Sequence, residues 1–233
     1  MFTLFFGVYS VAHAALLSWG VRLWRRDNAP GAPIICMIAA GLIYDNLMIA
    51  IGATLGAGPL LMTLSWPRFA LHAICTPFTM IAVWQFANAA NFSWARDRRA
   101  WAAVWIFVIA MVILGMNTGL IGLEIHPACF QDVLRYSSAV SEAQLCFPEQ
   151  MTVAGHGPPI PSISTAVVAL GVGIALWRGR NWPWLLGGAL AMMVAASVPT
   201  SQYGLTASNG GEVILLTSYA ATAARFSRGR ATV

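Results

Sequence analysis

Asp45, His72 and Glu212 are ionisable residues that stand inside long apolar segments of this sequence. Moving such groups into apolar surroundings costs free energy, so they usually face other protein groups and serve a function. A carboxyl group that is desolvated among apolar helices can hold a proton at neutral pH and deliver it to an epoxide, alkene or carbonyl. We therefore assign Asp45 as the candidate general acid, with His72 or Glu212 completing the proton transfer.

Other polar and aromatic side chains of the apolar segments could line a pocket beside these catalytic candidates. Arg68 lies four residues before His72, so in a helix both side chains fall on one face, one turn apart. His13 can reach a depth similar to that of Asp45, which makes a pair between them possible. The predicted substrate-binding residues are Tyr9, His13, Tyr44, Asn46, Arg68, Asn117 and Tyr203.

Each catalytic candidate also has a purely structural alternative. Asp45 could be a carboxyl group that only hydrogen-bonds another helix or partners a buried base. Arg68 could extend to the outer lipid headgroups, and His72 could be a core histidine. Asn209, followed three residues later by Glu212, matches a capping-box pattern at the start of a helix. The sequence leaves these alternatives open.

The sequence offers little for a metal or a cofactor. All thirteen basic residues are arginine, and without a lysine the chain cannot form the Schiff base that retinal requires. Glu124 and His126 stand close together, but no second histidine or cysteine group stands at metal-ligand spacing. A haem would need two histidines at matching depth, and His13 and His72 differ in depth. We predict no metal and no cofactor.

The composition is that of a membrane protein. Of the 233 residues, 58% are hydrophobic and only 9% are charged, whereas a soluble domain has about 25% charged residues. The net charge of +5 does not indicate nucleic acid, because the arginines stand in short groups beside apolar segments. We expect the partners to be membrane lipid and a lipid-soluble small molecule.

The apolar segments predict an all-α bundle of seven transmembrane helices that forms one membrane domain over residues 1–233. Crossing the hydrocarbon core takes about 20 helical residues, and glycine, proline and asparagine clusters separate the segments. The longest connection, residues 122–161, is long enough to form a lid or a folded cap. The predicted helices cover residues 2–24, 33–56, 68–90, 100–121, 162–178, 182–202 and 210–227.

The arginines predict the orientation of the bundle. With seven crossings, all of them except Arg68 and Arg135 fall on one side, which the positive-inside rule makes cytoplasmic. This pattern includes Arg228 and Arg230 near the C-terminus. We therefore expect the N-terminus outside and the C-terminus in the cytoplasm of a multi-pass protein in a cell membrane, as in a bacterial cytoplasmic membrane.

Two cysteines in the long outer connection predict a disulfide. Cys129 and Cys146 lie on the side that the arginines make extracytoplasmic, where disulfides persist. Their bridge would brace the connection over the outer end of the bundle. Cys36 and Cys75 lie within predicted helices, and we expect free thiols there.

The layout resembles that of the integral membrane terpene cyclases of meroterpenoid pathways. Those small seven-helix proteins carry one acid in the second helix and another in the seventh, as Asp45 and Glu212 do here, although the two residue types are exchanged. The resemblance implies proton-initiated cyclisation of a polyprenyl substrate, with aromatic faces stabilising cationic intermediates. The aromatic walls that it implies are Tyr9, Tyr44, Phe69 and Tyr203.

Two functions are therefore compatible with the sequence. The first is an intramembrane enzyme of the isomerase or lyase type that performs acid/base chemistry on an isoprenoid or another lipid-soluble substrate. The second is a binding, sensor or transport component with a proton- or ion-linked site at Asp45, Arg68 and His72.

Overall fold

A computed structural model describes residues 1–155, 157 and 159–227 of the chain. Arg228 and Arg230, which contribute to the predicted orientation, lie outside these residues. The described chain is mostly helical, with one two-stranded sheet. Its helices are α1 (Phe2–Asp27), α2 (Ala32–Leu55), α3 (Pro59–Cys75), α4 (Thr79–Ala89), α5 (Arg98–Gly119), α6 (Ile160–Arg180), α7 (Trp184–Ser197), α8 (Thr200–Tyr203) and α9 (Thr206–Arg225).

Within the described residues, five helical stretches are long and apolar enough to cross a membrane. They are α1, α2, the stretch Pro59–Ala89 that combines α3 and α4, α5 and α6. The apolar helix α7 has only 14 residues, and α9 is not among the five stretches. Long apolar helices of this kind indicate a membrane protein.

The third helical stretch begins nine residues earlier than the predicted start at residue 68. Pro59 occupies the first turn of α3. The backbone N–H groups of a first turn have no partner within the helix, so a proline there costs no hydrogen bond. Pro67, which suggests a helix start in the sequence, lies inside α3 instead. A 3₁₀ turn at Thr76–Phe78 joins α3 to α4, so the two helices form one continuous stretch.

The last two helices also differ from their predicted bounds. The predicted helix 182–202 ends at Ser197, because Val198 and Pro199 adopt extended backbone before the short helix α8. The predicted helix 210–227 begins earlier, at Thr206, after a turn at Gly204 with a φ of 60°. Because α9 starts earlier than predicted, each of its polar residues lies further from the start of the helix.

Glycines bring α7 and α9 into close contact. A Cβ atom at Gly211 would lie 2.7 Å from that of Ala195, and one at Gly188 would overlap the Ser218 side chain. Small residues at such positions let helix backbones approach closely. The largest apolar core cluster joins α9 to α1, α2, α4, α6 and α7, so the polar residues of α9 can face protein instead of lipid.

The long connection between α5 and α6 folds into a cap that contains a β-hairpin. Strands β1 (His126–Phe130) and β2 (Val133–Ser137) pair antiparallel, and Cys129 and Cys146 form the predicted disulfide. A Cβ atom at Gly52 of α2 would overlap the carbonyl oxygen of Leu134, so the hairpin backbone rests directly on that helix. The hairpin itself is not part of the all-α prediction.

The hairpin turn also ties the cap to the start of α1. Gln131 takes a φ of 54°, as the tight turn requires, and Asp132 follows it. The Asp132 carboxylate accepts hydrogen bonds from the backbone N–H of Phe2 and the hydroxyl of Thr3, each at 2.7 Å. An acid from a distant loop thereby caps the N-terminal turn of α1.

Candidate active site

Asp45 lies at the centre of a buried ionic cluster. Its side chain is 6% exposed, and its Oδ1 accepts a hydrogen bond from Nε of Arg68 at 2.8 Å. The Nε2 atom of His72 lies 3.7 Å from the same oxygen. Arg68 and His72, one turn apart on α3, therefore both face the carboxylate on α2.

Asn209 completes this cluster from α9. Its Nδ2 donates hydrogen bonds to Oδ2 of Asp45 at 3.2 Å and to Oδ1 of Asn46 at 3.1 Å. Nδ2 of Asn46 in turn donates to the Leu42 carbonyl oxygen at 2.9 Å. The cluster thus links α2, α3 and α9 through buried polar contacts.

The capping-box interpretation of Asn209 and Glu212 is wrong. Because α9 begins at Thr206, Asn209 is its fourth residue and Glu212 its seventh, beyond the first turn. The helix has no side-chain cap and no acid in its first turn. Asn209 is consequently a member of the ionic cluster that sequence reasoning missed, because its spacing to Glu212 also matches a helix cap.

An apolar cavity of about 140 Å³ lies beside the cluster, among α2, α3, α4, α6, α7 and α9. His72 and Glu212 both line it, so the ionisable side chains reach the cavity from α3 and α9. The His72 side chain is 42% exposed, which leaves its ring open to a ligand. Most of the wall is apolar, with Leu42, Leu71, Cys75, Leu216 and Tyr219 among the contributors.

Glu212 has no partner for one of its carboxyl oxygens. Oε2 is buried and forms no hydrogen bond with any described residue. An ionised carboxylate without a donor is costly to bury, so this environment tolerates the neutral acid better.

Tyr9 and His13 connect α1 to its surroundings and do not line the cavity. His13 is fully buried, and its Nδ1 lies 2.8 Å from the Tyr9 carbonyl oxygen. The Tyr9 hydroxyl donates to the Thr206 carbonyl oxygen at 3.1 Å. Among the described residues His13 forms no ion pair with Asp45, and its Nε2 has no hydrogen-bond partner.

Tyr44 and Phe69 lie next to the cluster but outside the cavity. The Tyr44 hydroxyl donates to the Leu64 carbonyl oxygen at 2.7 Å and so joins α2 to α3. The Phe69 ring lies 6.0 Å from the guanidinium carbon of Arg68, within range of a cation–π interaction. Both side chains therefore support Arg68 or its helix.

The structure does not bring Asn117 and Tyr203 to the cluster. Asn117 is exposed near the end of α5, and Tyr203 is 54% exposed at the end of α8. The break at Pro199 directs the chain away from the line of α7 before Tyr203 is reached. Neither residue lines the cavity.

Arg135 lies in the cap, and sequence reasoning assigned it only a topological role. It lies on β2 in register with Ala128 and lines a small space with Phe6 and Thr206. Burial, together with the positive charge of Arg68, lowers the pKa of Arg135 to about 10. Arg135 lies two residues after Val133, so in a strand both side chains fall on the same face. This spacing could have indicated that Arg135 points the same way as the buried Val133.

The described residues contain no group of three or more histidine, cysteine or acidic side chains that could hold a metal ion. Glu124 and His126 approach each other to 4.0 Å, and both side chains are exposed. Cys36 and Cys75 are free thiols, as predicted.

The fold and the site together define the class of this protein. It is a mostly helical membrane protein with an ionic cluster beside an apolar cavity. Comparison of the chain with protein-family models, curated proteins and solved structures finds no match. The function is therefore argued from the geometry of the site.

Proposed function

We propose that the chain is an intramembrane enzyme that performs acid/base chemistry on a lipid-soluble substrate. The observation that carries this proposal is the position of Glu212 and His72 on the wall of one apolar cavity. Apolar pockets with a few convergent polar groups are typical of small-molecule sites. Two proton-exchanging groups at such a site favour acid/base chemistry.

Glu212 is the better candidate for the proton donor, and Asp45 for a positioning residue. Asp45 accepts hydrogen bonds from Arg68 and Asn209, and a carboxylate that is held by such donors is stabilised in its charged form. Glu212 lines the cavity and has an unpartnered oxygen. In this assignment Asp45 orients His72, which receives or relays the proton.

The substrate class that fits best is an isoprenoid. A proton from Glu212 would add to a terminal alkene or epoxide, and ring closure would follow. Neutral His72 would take a proton from the carbocation and then return it to Glu212, which closes the cycle with no net change in the enzyme. Tyr219 lines the cavity and could stabilise the cation through its ring face. The resemblance to the membrane terpene cyclases supports the same isomerisation.

We further propose seven crossings, with the N-terminus outside and the C-terminus in the cytoplasm. The 14 residues of α7 span only about 21 Å at 1.5 Å per residue, so α7 needs the neighbouring chain to complete its crossing. Close packing of α7 on α9 and the one-sided distribution of the arginines support this topology.

Glu212→Gln should abolish turnover without unfolding the protein, because an amide keeps the shape of the side chain but cannot donate the proton. Purified protein in nanodiscs would be incubated with polyprenyl alkenes and epoxides. Mass spectrometry would then detect a product of unchanged mass and shifted retention.

Glu124→Gln is the matched control, because Glu124 is an exposed glutamate of the cap. This variant should retain full turnover. Turnover by Glu212→Gln at the wild-type rate would remove Glu212 from the acid role.

The second candidate is a binding, sensor or transport component that uses the ionic cluster itself. The contacts of Asp45 with both Arg68 and Asn209 favour it. A carboxylate whose two oxygens already accept hydrogen bonds suits a structural or ion-linked site. A co-purifying lipid without turnover of any isoprenoid would favour this candidate. A Soret band in the visible spectrum would instead indicate haem.

A further inference from the structure

The cavity has an apolar neighbour on the outside of the bundle. A groove of about 350 Å³ lies along α3 beside α2. Leu71 and Cys75 line both the groove and the cavity, so these two side chains form a wall that the two spaces share. The groove is lined by Tyr44, Pro67, Ala70, Leu71, Ile74 and Cys75.

The residue opposite the shared wall has no side chain. A Cβ atom at Gly41 would lie 3.8 Å from Cδ2 of Leu71, an ordinary contact distance. Any longer side chain at Gly41 would therefore occupy the space between α2 and Leu71. Gly41 lines the cavity at this point.

The α3 segment that carries the wall lies between a proline and a 3₁₀ turn. Pro67 lies at one end, and the 3₁₀ turn Thr76–Phe78 lies at the other. Prolines and turns of this type are the usual places where helices bend. Leu71 and Cys75 stand between these two positions.

The size of the cavity limits what it can enclose. An apolar protein cavity of about 150 Å³ holds a molecule of the size of benzene. The cavity here, at about 140 Å³, can enclose only one end of a long isoprenoid or similar chain. The remainder needs a further apolar space, and the groove on the other side of the shared wall provides one.

We propose that the ligand is an elongated single-chain lipid that enters sideways from the bilayer between α2 and α3. One end lies in the cavity against His72 and Glu212, and the chain passes Leu71 and Cys75 into the groove. The use of the enclosed end rests on the proposed function, whereas the entry route and the elongated shape rest on the two spaces that share the wall of Leu71 and Cys75.

Photo-crosslinking of the full chain in phosphatidylcholine nanodiscs tests the route. Two farnesol probes would carry a diazirine at opposite ends of the chain, and peptide mapping would locate the adducts. One probe should label the cavity walls on α6 and α9, and the other should label Tyr44 or Ile74 in the groove. Adducts of both probes at one location, or no specific labelling, would overturn the proposal.

Gly41→Leu should weaken labelling by the farnesol probes about tenfold, because the new side chain displaces two or more buried CH₂ groups of the ligand. Prenol, which has one isoprene unit, fits inside the cavity and should still compete for it. Gly171→Leu is the matched control, because Gly171 has open space around it. Leu71→Trp provides a second obstruction if Gly41→Leu does not fold.

The outcomes separate the route from the chemistry. Labelling of Gly41→Leu and Leu71→Trp at the wild-type level would overturn the route. Equally strong competition with the probes by the bulk phospholipid would also overturn it, because the groove would then be a surface for membrane lipid. Glu124→Gln, at an exposed position of the cap, should label like the wild type. Labelling is measured without any turnover, so failure of the enzyme proposal would leave the labelling pattern unchanged.

Discussion

The buried carboxylate of Asp45 depends on its donors. Arg68 supplies the counter-charge at 2.8 Å, and Asn209 supplies a hydrogen bond from a helix that arrives much later in the chain. Removal of one partner from a buried ion pair leaves an uncompensated charge, which costs more than the pair itself contributes. Asp45 and Arg68 should therefore be energetically coupled.

Arg68→Met should destabilise the protein by about 3–5 kcal/mol, because it leaves Asp45 charged and without a counter-ion. The free energy of unfolding can be followed by tryptophan fluorescence in detergent during denaturant titration. Arg98→Met, at an exposed position, is the control and should change the stability little.

Adding Asp45→Asn to Arg68→Met should restore part of the lost stability, because the double variant no longer buries an unpaired charge. Additive effects of the two single substitutions would contradict the coupling. Turnover of the same variants tests whether the pair of Asp45 and Arg68 positions His72. If it does, turnover should fall in both single variants.

At the level of residues, the sequence predicted the α3 face of the site and Glu212 on α9, and it missed Asn209. The four-residue spacing of Arg68 and His72 places both on one face in any helix, so their convergence followed from periodicity alone. The role of Asn209 depends on where α9 begins, and the start at Thr206 follows a turn with no clear sequence signal. Pairing with Asp45 across 164 residues cannot be read from local spacing.

The contact between the hairpin and α2 is the least predictable feature among the structural elements. Long apolar runs bounded by breakers predicted α1, α2, α5 and α6 closely. The strands β1 and β2 have five residues each and stand in a polar connection, where alternation is too short to distinguish a strand from a loop. Trp66 and Pro67 misplaced the start of α3 because a proline often opens a helix.

Gly52→Ala should destabilise the cap, because the added Cβ atom would overlap the Leu134 carbonyl oxygen. The backbone of either α2 or β2 must then shift, and we expect a loss of about 1–3 kcal/mol, as for other overpacked sites. Thermal unfolding in detergent would measure it. Gly171→Ala, a helical position with open space, should be neutral or slightly stabilising, and equal behaviour of the two variants would refute the contact.

The whole molecule has two unlike ends. The cap, held by the Cys129–Cys146 bridge and by Asp132 at the start of α1, covers one end of the bundle. The opposite end carries the arginine clusters. Access from the side, between α2 and α3, is compatible with a cap that stays closed.

Replacement of Cys129 and Cys146 by serine should lower the stability by about 3 kcal/mol, the usual value for a closed loop of about 15 residues. Thermal unfolding would be compared with and without a reductant. The reductant should lower the unfolding temperature of the wild type and leave the serine variant unchanged. A wild type that does not respond to complete reduction would show that the bridge does not stabilise the fold.

The partners of Asp45 also set an order for biosynthesis. When α2 first enters the bilayer its acid has no counter-ion, because Arg68 follows 23 residues later and Asn209 follows 164 residues later. A lone acid at the centre of a helix raises the insertion free energy by about 2.5–3.5 kcal/mol. We therefore expect α2 and α3 to integrate together as one hairpin. The hydrogen bond from α9 to Asp45 can form only when synthesis is nearly complete.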